Sequence, residues 1–238
     1  ECYIREFSIE HFHDSKVFET LIPKICKIFR EENEELTGFE NEEILAEYQI
    51  YKTPGYVYMK GNVQIYSAGK QAADISAFPE GIAVAVGSEE DVPDICPDQT
   101  IDKVFTIENL TSFYRFKQEH SLVIYLGGYH NRSRRNLLMQ IYQKLPDAQY
   151  YHFGDLDAGG FYILEHLKRK TGISFQMFQM DIETLKKYED YAKPLTENDK
   201  KRLMQLEKME LPDEERKLIT YMLQKGIKLE QECISESQ

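Results

Sequence analysis

The stretch Tyr150-Tyr151-His152-Phe153-Gly154-Asp155-Leu156-Asp157-Ala158-Gly159-Gly160 decides how this chain is read. Its first four residues are bulky and mostly aromatic, and the run has strand length. The next seven are dominated by Gly and Asp, which favour turns. Beyond them, a helical pattern runs to about Lys170. Strand, acid-bearing turn and helix together are the repeating unit of an α/β sheet.

The same rhythm appears on either side. Val104-Phe105-Thr106-Ile107 is a β-branched run that ends at Glu108-Asn109, and a helical pattern follows. Leu122-Val123-Ile124-Tyr125-Leu126 ends at Gly127-Gly128, with a helix expected near 131–144. Residues 175–180 are a candidate fourth strand, and 196–225 reads as helical. Pro212 suits a helix start, with Asp213, Glu214 and Glu215 in the first turn, where acids complement the dipole. The alternation predicts a parallel sheet between helix layers.

Upstream, apolar Val17, Phe18, Leu21, Ile22, Ile25, Ile28 and Phe29 predict one helix over 16–36, started by Asp14 or Ser15. The acidic run at 31–35 reads as its solvated end. Tyr56-Val57-Tyr58-Met59 and Val63-Gln64-Ile65-Tyr66 flank Lys60-Gly61-Asn62, which predicts a hairpin. Ile82–Val86 is another strand, and Pro93 and Pro97 mark an expected linker at about 87–101. The expected organisation is a small α+β region over 1–100 and an α/β catalytic domain over 101–238.

Composition narrows the function classes. Among 238 residues, 29 Lys and Arg face 41 Asp and Glu, a net charge of −12. That excludes a protein that coats nucleic acid by bulk attraction. The charge is uneven: residues 1–102 hold 21 acids and 8 bases, against 20 and 21 in residues 103–238. No apolar run approaches the roughly 18 residues of a membrane span. The four Cys form no C-x-x-C pair, so neither a zinc site nor a disulfide framework is suggested. Reduced thiols and a cytoplasmic location are expected. The chain starts at Glu1 instead of Met, which suggests a portion of a longer protein.

In open α/β sheets, ligands bind beyond the carboxyl ends of the strands. Glu108 directly follows one strand, and Asp155 and Asp157 directly follow another. Converging carboxylates repel one another, so an oxygen-only cluster of this kind suits Mg²⁺ or Mn²⁺. Taken alone, Asp-x-Asp-x-Gly is equally a turn. An EF-hand is excluded because the twelfth position from Asp155 is His166 instead of Glu. A dehalogenase-type phosphotransferase also places Asp-x-Asp after a strand, but its motif normally opens the domain. The stronger signal is the pairing of Glu108 with the later acids.

This order of motifs resembles the topoisomerase–primase (Toprim) domain. It more closely resembles the JetD family of Wadjet plasmid-defence subunits. The resemblance rests on Asp14-Ser15-Lys16-Val17-Phe18-Glu19, Phe105-Thr106-Ile107-Glu108-Asn109, Gly127-Gly128-Tyr129, the run from Gly154 to Leu164, and Leu229-Glu230-Gln231-Glu232. The chain departs from the pattern at Ala158, often Thr or Pro in relatives, and at Gly159, often His or Asp.

The resemblance implies a Toprim-like (Rossmann-like) parallel sheet and a metal-dependent endonuclease acting on double-stranded DNA. It implies Mg²⁺ or Mn²⁺ as cofactor, condensin-like (SMC-type) partner subunits, a homodimer and a relation to the A subunit of type IIB topoisomerases. Glu108, Asp155 and Asp157 are the expected catalytic and metal-binding residues. Glu230 and Glu232 are candidate ligands of a further metal. An inactive Toprim module that only binds DNA or a partner is the main alternative.

Topoisomerase relatives carry their tyrosine on a preceding winged-helix domain, so hydrolysis is expected here instead of tyrosine transesterification. Arg132, Arg134 and Arg135, with His130, open a helix at the same sheet edge as the acids, and are expected to grip backbone phosphate.

Overall fold

The computed structural model describes residues 2–33, 36, 39–52, 55–67, 69–86, 93–127 and 132–234. Glu34 and Glu35, the 87–92 part of the expected linker, and Gly128, Tyr129 and His130 lie outside them. The side chain of Arg132 also lies outside what is described.

The first hundred residues contain more than one helix. A short strand β1 (Cys2–Tyr3) leads into α1 (Ile4–Phe12), then α2 (Val17–Glu32) and α3 (Asn41–Glu47), followed by β2 (Ile50–Tyr51), which pairs with β1 in parallel. The three helices share a small core of Ile4, Phe18, Cys26, Ile44 and Leu45. The start of α2 is not capped as expected. Lys16 occupies the cap position, and the Asp14 carboxylate instead accepts from the Lys16 amide at 2.7 Å, in a local turn before the helix.

Next come β3 (Gly55–Lys60), β4 (Val63–Ser67), β5 (Lys70–Asp74), β6 (Ile82–Val86) and β7 (Asp94–Pro97). The hairpin expected across Lys60-Gly61-Asn62 does not form. β3 joins the central sheet, whereas β4 pairs with β5 and β7 in a separate three-stranded sheet. Gly61 makes this split possible. Its φ is 138°, and a Cβ there would lie 2.5 Å from the Ser121 carbonyl oxygen, so the chain crosses against the backbone of another strand. The expected linker is structured at its far end, where Asp94–Pro97 forms β7.

The strand–helix alternation appears as expected: β8 (Lys103–Ile107), α4 (Leu110–Arg115), β9 (Ser121–Tyr125), α5 (Arg132–Lys144), β10 (Gln149–Phe153), α6 (Ala158–Thr171) and β11 (Phe175–Met177). The central sheet has the order β11-β10-β8-β9-β3-β6. Its first four strands are mutually parallel, and β3 and β6 are added antiparallel. The sheet therefore draws strands from both sides of residue 100. This is a mixed α/β fold with a mostly parallel sheet, compatible with a Toprim-like arrangement.

Side chains alternate between faces with period two, and both faces are buried. Val104, Leu122 and Ile124 pack toward Leu137, Leu138 and Ile141 of α5 and toward Leu164 and Leu167 of α6. Phe105, Ile107 and Val123 face the opposite layer. That layer contains Phe113 of α4, together with residues of α7 (Ile182–Lys187), α8 (Glu197–Leu206) and α9 (Asp213–Lys225). Pro212 sits at the cap position of α9, as expected. The chain closes with β12 (Lys193–Pro194) paired to β13 (Ile227–Lys228) and a one-turn 3-10 segment, Gln231–Cys233.

Candidate functional site

β8 and β10 are neighbours in register, with Ile107 opposite Phe153. The chain leaves β8 through α4, on one face of the sheet. It leaves β10 through α6, whose Leu164 and Leu167 pack on the other face. Adjacent strands whose connections diverge leave a crevice at their carboxyl ends. Glu108 and Asp155 line that crevice.

The ladder continues one step past the strands, the Glu108 amide donating to the Phe153 carbonyl at 3.0 Å. This sets Glu108 beside Gly154, and the Asp155 amide donates to Glu108 Oε2 at 3.4 Å. A Cβ on Gly154 would lie 2.7 Å from Glu108 Oε2 and 2.8 Å from His152 Nε2, so any other residue would push one or both side chains from these positions. Gly160 is still tighter, since a Cβ there would lie 2.1 Å from the Asp155 carbonyl oxygen. Asp157 caps α6, its Oδ1 accepting from the Gly160 amide at 2.9 Å.

The electrostatics are those of crowded, buried acids. Burial first, then the charges of Asp155 and Asp157, push the Glu108 carboxyl up to about 8. Burial also pushes Asp155 up to about 6, with Asp157, Glu232 and Glu230 adding to the effect; the Gln231 amide opposes it. Beneath them His152 is fully buried, and burial depresses its imidazole to about 3. Its Nδ1 lies 3.0 Å from Thr106 Oγ1, and its Nε2 has no hydrogen-bond partner.

The C-terminal segment closes over the same edge. Leu229 and Leu156 exchange two main-chain hydrogen bonds of 2.9 and 3.1 Å. The tail is neither a strand nor an α-helix here, and its two acids diverge. Glu232 Oε1 accepts from Asn109 Nδ2 at 2.5 Å, which holds it at the exit of β8. Glu230 pairs with Lys193 at 2.5 Å, toward solvent. Asn109 also caps α4 through its side-chain oxygen.

Two of the three arginines expected to grip phosphate, Arg134 and Arg135, are engaged within the chain. The Arg134 guanidinium is buried and donates to the Leu126 carbonyl, capping the exit of β9. Arg135 forms a two-pronged ion pair with Glu47 of α3, at 2.6 and 3.2 Å. Their side of α5 packs inward, because Glu47 supplies a counter-charge from a distant part of the chain. Arg132 opens α5.

Comparison with known proteins gives these features a family. The family model for the C-terminal region of Wadjet protein JetD matches residues 90–238. The chain belongs to the JetD C-terminal family. It is also 30% identical to the Wadjet protein JetD of Bacillus cereus (strain Q1) over 235 residues, which is 97% of this chain and 56% of that protein. The chain thus spans about half the length of the curated relative it matches. No helix among the described residues is long and apolar enough to cross a membrane.

Two participants escaped the sequence reading. Gln231 stands between two acids that drew attention, yet it makes more bonds at this edge than either of them. His152 gives no signal except its place in the strand before Gly154, on the face opposite Phe153.

Proposed function

We propose that this chain is the nuclease part of a JetD-type subunit that cuts double-stranded plasmid DNA with Mg²⁺ or Mn²⁺ in an anti-plasmid defence complex. The observation that carries this reading is the approach of Glu108 to Asp155 at adjacent parallel strand ends, where burial and the neighbouring acidic charges, that of Asp157 included, raise Glu108 and Asp155. The donor set fits a hard divalent cation, being all oxygen and in need of positive charge. Among the described residues no group of three or more Asp, Glu, His or Cys side chains is arranged to hold a metal ion, so the acids would have to turn toward a cation as it binds. Asp155 and Asp157 are each engaged with a main-chain amide, so binding would exchange or share those bonds.

Glu108, Asp155 and Asp157 would hold the cation, with Glu232 the better placed of the two tail acids. A divalent cation there would neutralise charge at the scissile phosphate and lower the pKa of a bound water. Glu108 would act as a ligand of the cation or as the base that takes a proton from an attacking water. The Gly160 and Gln231 amides keep the two aspartates oriented. Of the three arginines, only Arg132 is retained for phosphate contact.

Cutting both strands calls for two copies of the acid cluster, so we propose a homodimer working with condensin-like partner subunits in the cytoplasm. A non-cleaving DNA- or partner-binding module is the second reading. It is favoured by the internal hydrogen bonding of Asp155 and Asp157. Supercoiled plasmid incubated with Mn²⁺ separates the two. The parent should nick it, Asp155→Asn should not, and denaturing the reaction midway should release DNA free of protein. Equal cutting by Asp155→Asn would overturn the site, and a covalent protein–DNA adduct would overturn hydrolysis.

A further inference from the structure

We propose that Gln231 is a positioning residue that sets the spacing of Glu108 and Asp155 from the C-terminal tail. It is completely buried. Its side-chain Oε1 accepts from the Asn109 amide at 2.8 Å, and its Nε2 donates to the Phe153 carbonyl at 2.9 Å. Its own main-chain amide donates to Asp155 Oδ1 at 2.7 Å. One residue therefore ties the exit of β8, the exit of β10 and a carboxylate of the acid cluster.

The chemistry of the amide explains why this position carries Gln. A planar carboxamide accepts through one atom and donates through the other, which matches an N–H on one strand and a C=O on the next. Glu has the same shape but cannot donate, so its oxygen would face the Phe153 carbonyl. Met fills similar volume and makes neither bond. Asn is shorter by one methylene, about 1.5 Å, too short to keep both bonds without moving the tail. Asn109 immediately follows Glu108, and Phe153 lies two residues before Asp155, so the amide acts on both acids through short, stiff pieces of main chain. Buried groups that lose a partner are costly, which makes the bridge difficult to relax.

Glu232 with Asn109, and Leu229 with Leu156, hold the tail independently of the Gln231 side chain. Substitution at 231 should therefore loosen the spacing without releasing the segment. This inference rests on the metal-dependent reading given above.

The test uses the full chain with Gln231→Met and Gln231→Glu. Three quantities are read: Mn²⁺ affinity by titration calorimetry, melting in EDTA, and plasmid nicking at low and saturating Mn²⁺. Both variants should bind Mn²⁺ about 10-fold or more weakly, the range seen when groups that orient metal ligands are removed. Nicking should be lost at low Mn²⁺ and recover in part at saturation. A lower melting temperature with unchanged Mn²⁺ affinity would make Gln231 merely structural and overturn the proposal.

If neither variant folds, the parent decides by hydrogen exchange. Since the coupling is reciprocal, Mn²⁺ should slow exchange of the Asn109 amide, which donates to the Gln231 side chain, about 10-fold, and unchanged exchange would overturn it. A parent that binds no Mn²⁺ would overturn the metal-dependent reading and this inference together. A parent that binds, alongside variants that bind equally, would overturn only this inference.

Discussion

Replacing Arg135 by Met tests whether α5 is anchored through its arginines or offers them to DNA. The Arg135 and Glu47 side chains are only 11% and 18% exposed, and their contact has two prongs, at 2.6 and 3.2 Å. Removing Arg135 leaves the largely buried Glu47 side chain without this partner, a loss of about 3 kcal/mol for a pair of this kind. In a domain of this size each kcal/mol moves the melting temperature by about 2–4 °C, so Arg135→Met should melt roughly 6–12 °C lower. Glu47→Gln should cost a similar amount. The double variant should cost less than the sum of the two, with a coupling of about 1–3 kcal/mol. Thermal melts and urea titrations of the four proteins measure this. The salt dependence of DNA binding, taken below the melting transition, should be the same for Arg135→Met and the parent. An unchanged melting temperature, together with a salt slope flattened by about one phosphate contact, would refute the anchoring argument.

His152 and His166 are both held neutral, with folded values near 3, by burial first and then by nearby cations. Because these values are depressed, the stability the two imidazoles contribute is complete above about pH 6.5 and is lost as pH falls toward 3. Their NMR resonances should stay at the neutral-form positions at pH 5; a midpoint near 6.5 would contradict the burial account. Gly160→Ala places a Cβ 2.1 Å from a backbone oxygen, so it should lower stability by about 3 kcal/mol and abolish nicking. Full activity in Gly160→Ala would show that the acid loop has slack. Glu232→Gln should weaken cleavage with partial rescue at high Mn²⁺. Glu230→Gln should matter less, since its carboxylate already pairs with Lys193. Parent-like cleavage by both at low Mn²⁺ would assign the tail to structure alone.

Strand and helix rhythm after residue 100 was legible because it is local. Runs such as Val104–Ile107 have strand length, turn residues follow them, and α6 ends where Gly172 adopts a left-handed φ of 71°. The placement of Glu108 and Asp155 at one edge was legible for the same reason, since parallel sheets put successive strand ends together. The pairing of β3 was not. Lys60-Gly61-Asn62 has hairpin chemistry, but β9 and β6 claim both edges of β3, and β4 turns away to β5 and β7. Turn residues report that the chain bends, and long-range pairing decides with whom. The intramolecular partners of Arg134 and Arg135 were hidden in a related way. The place of these arginines after a strand suggested phosphate, whereas Arg135 is fixed by Glu47, 88 residues away in sequence. Gln231 was hidden because a neutral amide between two acids carries no charge signal, and its partners Asn109 and Phe153 become neighbours only when the tail docks.

The most direct measurement is a crystal soaked in Mn²⁺ and recorded at a wavelength where manganese scatters anomalously. An anomalous peak bounded by the carboxylates of Glu108, Asp155 and Asp157 is expected, lost in crystals of Asp155→Asn. A peak seated elsewhere, or no peak at Mn²⁺ concentrations that support nicking, would contradict the proposed metal site.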